Sequence, residues 1–200
     1  MSWSSLDLYE RSPKRWVELY VRGQEVHFNK NGQAGIDLGR KLATALESKD
    51  LSGDPTIDLT IKRMPRFERF EVELSPTLQQ GKGENGIPLL GRVDNATPDL
   101  SGFKEYKQGT TAWTQAKADS HGQITFYSMM IYLTNGKLPT DIELVWMPTE
   151  RRPDGSTELI GDVHVFKTQR TMADVLRMML RVRKAWAGME RLTNEELLIT

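Results

Sequence analysis

Two short stretches on neighbouring segments decide the fold: Gly91-Arg92-Val93-Asp94 and, about ten residues later, Glu105-Tyr106-Lys107. Residues two apart on a strand project from the same face, so Glu105 and Lys107 stand side by side. If the segments pair with Asp94 opposite Phe103, Asp94 is the diagonal neighbour of Glu105, about 7 Å away. A slip of one residue turns Asp94 to the other face.

Such a group of side chains has a specific chemical use. Two carboxylates offer the hard oxygen ligands that suit Mg²⁺ or Mn²⁺, which keep positions open for water and a phosphate oxygen. A neighbouring lysine can stabilise negative charge at phosphorus. The pattern E-x-K is also common by chance. The alternative is therefore an exposed strand on which Glu105 and Lys107 form only an ion pair.

The rest of the chain surrounds these strands with helices. The apolar spacing predicts helices over 4–22 (broken at Pro13), 33–48, 120–134 and 171–191. It predicts strands over 70–74, 87–94, 102–107, 141–147 and 159–167, with Phe70, Val72 and Leu74 on one buried face. The order indicates an α/β fold with a central mixed β-sheet flanked by helices. We expect one domain over 1–200, with a core of about 33–167 and helices 4–22 and 171–191 packed on it.

Composition excludes several classes of chemistry. The chain has no cysteine, which excludes disulfides, thiol nucleophiles, cysteine-ligated zinc and iron–sulfur clusters. The 27 Lys and Arg residues balance the 27 Asp and Glu residues, so net charge gives no steering toward a polyanion. Neither a secretory signal nor an apolar run of about 20 residues is present, so a cytoplasmic protein without a membrane partner is expected.

The order of these motifs resembles that of a known nuclease group. Gly91-x-x-Asp94, then Glu105-x-Lys107, then Gln123-x-x-x-Tyr127 on a helix, is similar to the PD-(D/E)XK nuclease superfamily, particularly its RecB-like and phage-exonuclease branch. The opening segment, with Ser2, Ser4, Ser5 and Tyr9 followed by Ser12-Pro13 and Trp16, also resembles that branch. The resemblance covers roughly 2–147 and implies a restriction-endonuclease-like core.

The resemblance also implies roles for individual residues. Asp94, Glu105 and the backbone carbonyl of Tyr106 would bind the metal, and Lys107 would be the catalytic lysine. Gln123 and Tyr127, one helical turn apart, would face the site, with ordinary helix packing as the alternative.

Two features depart from the family pattern. Many relatives carry an upstream metal ligand on the second helix, for which Glu47 is a substitute here; a solvent-facing glutamate is the alternative. Some relatives have a cluster cysteine where this chain has Ser12, so no iron–sulfur cluster is expected.

Two further groups are candidates for contact with nucleic acid. On helix 171–191, Arg177, Arg181 and Lys184 form a basic stripe that fits phosphate contacts, with a solvated helix face as the alternative. Trp113, which follows the lysine motif, can stack on a base or pack in the core.

The resemblance implies a metal-dependent DNA nuclease using Mg²⁺ or Mn²⁺. An exonuclease in phage or bacterial recombination, repair or replication is the leading interpretation. An endonuclease of the same fold and a non-catalytic DNA-binding or assembly protein remain alternatives. The implied partner is DNA. Two further kinds of partner are left open: other copies of the chain, in a ring-shaped homo-oligomer, and a replication or recombination protein. A phage-encoded protein would act in the bacterial host cell.

Overall fold

The structure, a computed structural model, describes residues 1–26, 30–48, 52–81 and 85–198, leaving the side chains of residues 30 and 31 aside. In chain order the elements are α1 (Trp3–Arg11), α2 (Pro13–Trp16), a π-helical turn (Val17–Val21), α3 (Lys30–Ser48), α4 (Pro55–Arg63), β1 (Arg69–Leu74), β2 (Thr77–Leu78), β3 (Ile87–Pro88), β4 (Gly91–Ala96), β5 (Gly102–Gly109), α5 (Gln115–Asp119), α6 (Gly122–Asn135), β6 (Asp141–Arg151), β7 (Thr157–Leu159), β8 (His164–Thr168) and α7 (Met172–Leu197).

A mixed six-stranded sheet lies at the centre. Its strands run in the order β1-β4-β5-β6-β7, and β8 also pairs with β6. Among the described strands of this sheet, β5 and β6 run parallel and the other pairs are antiparallel. A parallel pair needs a crossover, and α5 and α6 supply it. The α/β fold with a central mixed sheet and flanking helices is therefore confirmed.

Helices cover both faces of the sheet, as alternation along β6 shows. Leu144 belongs to the main core with Phe126 on α6 and Val182 on α7. Its neighbour Val145 belongs to a second cluster with Leu42 on α3 and Ile57 on α4. A strand buried on both faces has few polar positions, which is why β6 reads as a nearly continuous apolar run.

The first helices pack on the last one. Trp16 and Val17 form a third apolar cluster with Met189 of α7. The predicted break at Pro13 is confirmed, because Ser12 ends α1 and its hydroxyl accepts a hydrogen bond from Arg15 N at the start of α2. No helix in the described ranges is both long and apolar enough to cross a membrane.

Four sequence expectations need correction. Helix α4 was not predicted, although Asp54 caps it by accepting hydrogen bonds from Thr56 N and Ile57 N and Pro55 occupies its first turn. The predicted strand 87–94 is two strands, β3 and β4, and the predicted strand 159–167 is interrupted at Gly161, whose φ is +69°. Helix α7 continues beyond 191 to Leu197.

Candidate active site

The β4–β5 hairpin brings Asp94 to the strand that carries Glu105 and Lys107. Its register pairs Ala96, rather than Asp94, with Phe103, a shift of two residues from the arrangement considered above. The arrangement with Asp94 opposite Phe103 is therefore not the one that forms. Backbone pairing ends at Asn95, and the Asp94 carboxylate continues the contact, since Asp94 Oδ2 accepts a hydrogen bond of 2.7 Å from Tyr106 N.

Strand β1 is distorted opposite Asp94. Phe70 pairs with Asn95 and Val72 pairs with Val93, so Glu71 lies between them with a φ of +49°. Residues two apart normally share a face, but Phe70 packs with the cluster under α3 and α4 whereas Val72 lies in the main core. The expectation that Phe70 shares the buried face of Val72 is therefore wrong. Such left-handed conformations cost about 1–3 kcal/mol for a residue other than glycine and concentrate at functional sites.

A chain of side-chain hydrogen bonds extends from β5 to α6. Lys107 Nζ donates to Glu105 Oε1 at 2.7 Å and to Gln123 Oε1 at 2.8 Å. Gln123 Nε2 in turn donates to Tyr127 Oη at 3.0 Å. The structure thus joins four residues that the sequence motifs placed in two separate elements. These two contacts, one from strand β5 and one from helix α6, fix the position of the Lys107 ammonium group.

Glycine at the start of β4 allows α6 to approach this closely. A Cβ at Gly91 would lie 2.9 Å from Met130 Sδ and 3.0 Å from Tyr127 Cε1, both on α6. These separations are shorter than ordinary van der Waals contact. The first residue of the Gly91-x-x-Asp94 motif therefore has a packing role: it sets the distance between α6 and the strand bearing Asp94.

Burial is the main influence on the pKa values of the two carboxyl groups, and it favours their neutral forms. Burial and the neighbouring charge of Glu105 raise the pKa of Asp94 well above its usual range, against the hydrogen bond from Tyr106 and the charge of Lys107. Burial also raises the pKa of Glu105, while Lys107 lowers it. Glu105 is only 2% exposed, and its Oε2 has no hydrogen-bond partner. Buried acceptors without a donor are uncommon in folded proteins.

These properties fit a hard cation. The donors are carboxylate oxygens, and the unpartnered Glu105 Oε2 is available for a ligand. Among the described residues no three His, Cys, Asp or Glu side chains are grouped to hold a metal, so the set is limited to Asp94, Glu105 and the predicted Tyr106 carbonyl. A Mg²⁺ ion commonly binds through one or two carboxylates and keeps several waters, which agrees with such a small set.

A glutamate that the sequence did not single out lines the cavity beside Asp94. Glu47 is exposed on α3, and the cavity beside Asp94, of about 180 Å³, is lined instead by Glu71 together with Tyr106 and Gln108. The charge of Glu71 contributes to the raised pKa of both Asp94 and Glu105. In sequence, Glu71 reads as an ordinary outward residue of an alternating strand, and only the distortion of β1 turns it toward this cavity.

Trp113 lies half-buried beside the first turn of α6. Its ring meets that of His121 edge-on, with centroids 5.0 Å apart, and Lys117 Nζ lies 4.2 Å from its ring centroid. His121 Nδ1 is buried without a hydrogen-bond partner. Burial, with a smaller effect of the charge of Lys107, lowers the pKa of His121 to about 4, so the imidazole is neutral at physiological pH. One face of Trp113 is thus already occupied by a cation.

The predicted basic stripe on α7 is largely ion-paired. Arg177 contacts Asp174 at 2.5 Å, and Arg181 forms a two-pronged pair with Glu10 of α1. Both arginines line a cavity of about 260 Å³ next to the N-terminus of α6. Lys184 is exposed. The apolar side of the helix is buried as expected, including Val175 and Val182.

Comparison with solved structures supports the fold. The crystal structure of a protein from Eubacterium rectale named "Putative exonuclease" superimposes with a TM-score of 0.55 and 12% identity, covering 98% of this chain and 82% of that one. A protein named SSO0001 covers 88% of this chain and 66% of its own at 15% identity, with a TM-score of 0.37 that is too low to support an argument. No protein-family model matches the chain, and no curated protein matches its sequence.

Proposed function

We propose that this chain is a metal-dependent nuclease in which Asp94 and Glu105 hold Mg²⁺ or Mn²⁺ and Lys107 contacts the phosphate that is cleaved. The state of Glu105 is the observation that carries the proposal. One of its oxygens accepts a hydrogen bond from Lys107, while the other is buried without a donor. A divalent cation held by Asp94 and Glu105 would satisfy that oxygen and offset the repulsion between the two carboxylates.

The proposed role of each residue follows from its contacts. A bound Mg²⁺ or Mn²⁺ would supply Lewis acidity and lower the pKa of a coordinated water. Lys107 is held by Glu105 and Gln123, so its ammonium is positioned before substrate arrives and can balance the charge that develops on the phosphate. Tyr127 orients Gln123 by accepting a hydrogen bond from its amide. The backbone carbonyl of Tyr106 is the proposed third ligand.

DNA is the proposed substrate and exonucleolytic cleavage the leading mode. The support is the motif order described above, together with the fold shared with a protein named as an exonuclease. An endonuclease of the same fold is the second candidate. A purely DNA-binding role is disfavoured, because keeping two like charges buried side by side costs free energy that binding alone does not require.

Lys184 is proposed to contact the DNA backbone. Arg177 and Arg181 are proposed to do the same when a phosphate replaces the carboxylate in each of their ion pairs. The arginine pairs with Asp174 and Glu10 offset part of the positive charge on this face. We therefore expect the stripe to contribute less to affinity than three unpaired cations would. Base stacking by Trp113 is proposed for the ring face that Lys117 leaves open.

A cleavage assay on matched substrates tests the proposal. Linear and covalently closed circular DNA, and linear RNA, are incubated with Mg²⁺, Mn²⁺ or EDTA. We expect metal-dependent loss of linear DNA only; cutting of circles would identify an endonuclease. Glu105→Gln should be inactive, whereas Glu68→Gln, an exposed position just before β1, should retain activity. Intact DNA in every metal-containing reaction would contradict the proposal.

A further inference from the structure

A large aromatic cavity lies between the first helices and the end of α7. It measures about 830 Å³ and is lined by side chains that include Trp16, Tyr20 and Trp186, with Thr193 and Asn194 as neutral polar groups. This volume is within the range of about 300–1,000 Å³ that is typical of ligand sites. The cavity is separate from the side chains assigned above to metal binding.

The aromatic residues form a stack with one open face. Trp16 and Tyr20 are nearly parallel, with ring centroids 5.9 Å apart and planes inclined by 18°. Trp16 is buried, and its Nε1 donates a hydrogen bond to Ser5 Oγ at 2.9 Å, which fixes the ring. Tyr20, in contrast, is 51% exposed. It lies in the π-helical turn, a rare conformation that occurs frequently at functional sites.

A second cavity lies beside this one and reaches one residue of the hydrogen-bonded chain described above. It measures about 330 Å³ and includes Arg92 and Tyr127, the residue that ends the hydrogen-bonded chain from Lys107. Both cavities are lined by Ser2 and Leu90, so they meet at these residues. Leu90 is large and apolar, yet 52% exposed, at this junction. Together the two cavities form a groove, here called the aromatic groove, from Tyr127 to Tyr20.

We propose that the aromatic groove binds a single-stranded segment of nucleic acid, with a base stacked on Tyr20, next to the site of cleavage. The inference rests on the proposed nuclease function and specifies how that site receives its substrate. Aromatic side chains stack on bases of any type, and this stacking is the usual means of holding single strands without sequence preference. Among the polar groups near the stack, Thr193 and Asn194 are neutral and suit base edges better than phosphates, and the acidic Glu190, which also lines the cavity, disfavours phosphates there.

Binding measured without cleavage tests the groove directly. Fluorescence anisotropy in EDTA follows a labelled oligothymidylate of about 12 nucleotides, within the range of about 4–16 that single-strand sites occupy. A second oligonucleotide of the same length carries the same phosphates but no bases. We expect the wild-type protein to bind the oligothymidylate at least about fivefold more tightly than the abasic strand. Equal affinities would overturn the proposal.

Variants assign the preference to the groove. Tyr20→Ala should weaken oligothymidylate binding at least about fivefold and leave abasic binding unchanged, and Tyr20→Phe should restore affinity. Leu176→Ala is the matched control: Leu176 is 52% exposed on α7 and does not line the groove. Leu90→Glu, which leaves the stack untouched, should also weaken binding by placing a charge at the junction. Wild-type affinity in both Tyr20→Ala and Leu90→Glu would contradict the inference.

Two further outcomes separate the alternatives. If Tyr20→Ala changes the mass of the protein in solution but not its affinity for oligothymidylate, the groove is an interface between copies and the proposal fails. If the protein binds through Tyr20 yet cleaves no substrate with either metal, the groove proposal stands and the proposed nuclease function fails. If the protein cleaves DNA but binds oligothymidylate equally well without Tyr20, the proposed nuclease function stands and the groove proposal fails.

Discussion

Lys107 Nζ lies 2.7 Å from Glu105 Oε1, two residues earlier on the same strand, and it reaches Gln123 on α6 with a second hydrogen bond. The ammonium is therefore fixed by a strand and a helix together. Because Glu105 is almost fully buried, this contact also offsets part of the cost of its charge. The same lysine thus affects both the stability of the site and the chemistry proposed for it.

Removing the charge of Lys107 should abolish most cleavage. Lys107→Met keeps the length of the side chain but loses the donor, and we expect the cleavage rate to fall by about 10²–10³-fold. Gln123→Leu should cause a smaller loss, because the lysine keeps its contact with Glu105. Lys137→Met, an exposed lysine in the turn after α6, is the matched control. Full activity in Lys107→Met would remove the catalytic assignment.

Asp94→Asn should make the metal-free protein more stable at neutral pH. The native state holds a proton on Asp94 to higher pH than the unfolded chain does, since burial and Glu105 raise its pKa. Between the two pKa values the native state binds more protons, so stability decreases as pH rises. We expect Asp94→Asn to relieve this loss at pH 7.5 and to match wild type only well below the ordinary aspartate pKa of about 3.9, where both states are protonated.

Urea denaturation in EDTA at several pH values measures this difference. Added Mn²⁺ should then stabilise wild type and leave Asp94→Asn nearly unchanged, because a ligand stabilises only the state that binds it. The asparagine retains an oxygen that can accept the hydrogen bond from Tyr106. A variant that is less stable than wild type by the same amount at every pH would show that Asp94 is not under electrostatic strain.

Local patterns in the sequence predicted the strands of the site well. The sequence predicted a strand over 102–107, which lies in β5, and the i, i+4 spacing placed Gln123 and Tyr127 on one side of α6, where the structure joins them to Lys107. These relationships depend on residues close in sequence. The position of Asp94 relative to Glu105 depended on register, which the sequence could express only as a condition.

Other features depend on three-dimensional context. Helix α4 had readable signals in Asp54 and Pro55, but the same residues are typical of loops and favoured that interpretation. The position of Glu71 could not be inferred, because alternation in Phe70-Glu71-Val72 predicts a regular strand whereas tertiary packing splits Phe70 and Val72 between two clusters. The ion pair of Arg181 with Glu10 joins helices at opposite ends of the chain.

Relieving the backbone strain at Glu71 should stabilise the protein at the expense of activity. Glu71→Gly allows the φ of +49° without a steric penalty, and we expect a gain of about 1 kcal/mol after the entropic cost of glycine. The substitution also removes a charge that acts on Asp94 and Glu105, so metal affinity should fall. Glu73→Gly, on the same strand, should instead lose about 0.5–1 kcal/mol. Urea denaturation in EDTA measures both, and a destabilised Glu71→Gly would show that the conformation is not strained.

Gly91→Ala should impair the site through the position of α6. The added Cβ would meet Met130 Sδ at 2.9 Å and Tyr127 Cε1 at 3.0 Å; the thioether can move aside, but the packed tyrosine ring cannot without shifting α6. We expect a loss of about 1–3 kcal/mol in stability, as for other overpacked cores. Because Tyr127 orients Gln123 and Gln123 holds Lys107, cleavage should fall even at temperatures where the variant is fully folded.

Gly109→Ala, at the end of β5 with no atom within 4 Å of its added Cβ, is the control and should change neither property. Cleavage rates and thermal unfolding of both variants make the comparison, and a Gly91→Ala protein with wild-type activity would show that the hydrogen-bonded chain tolerates displacement of α6.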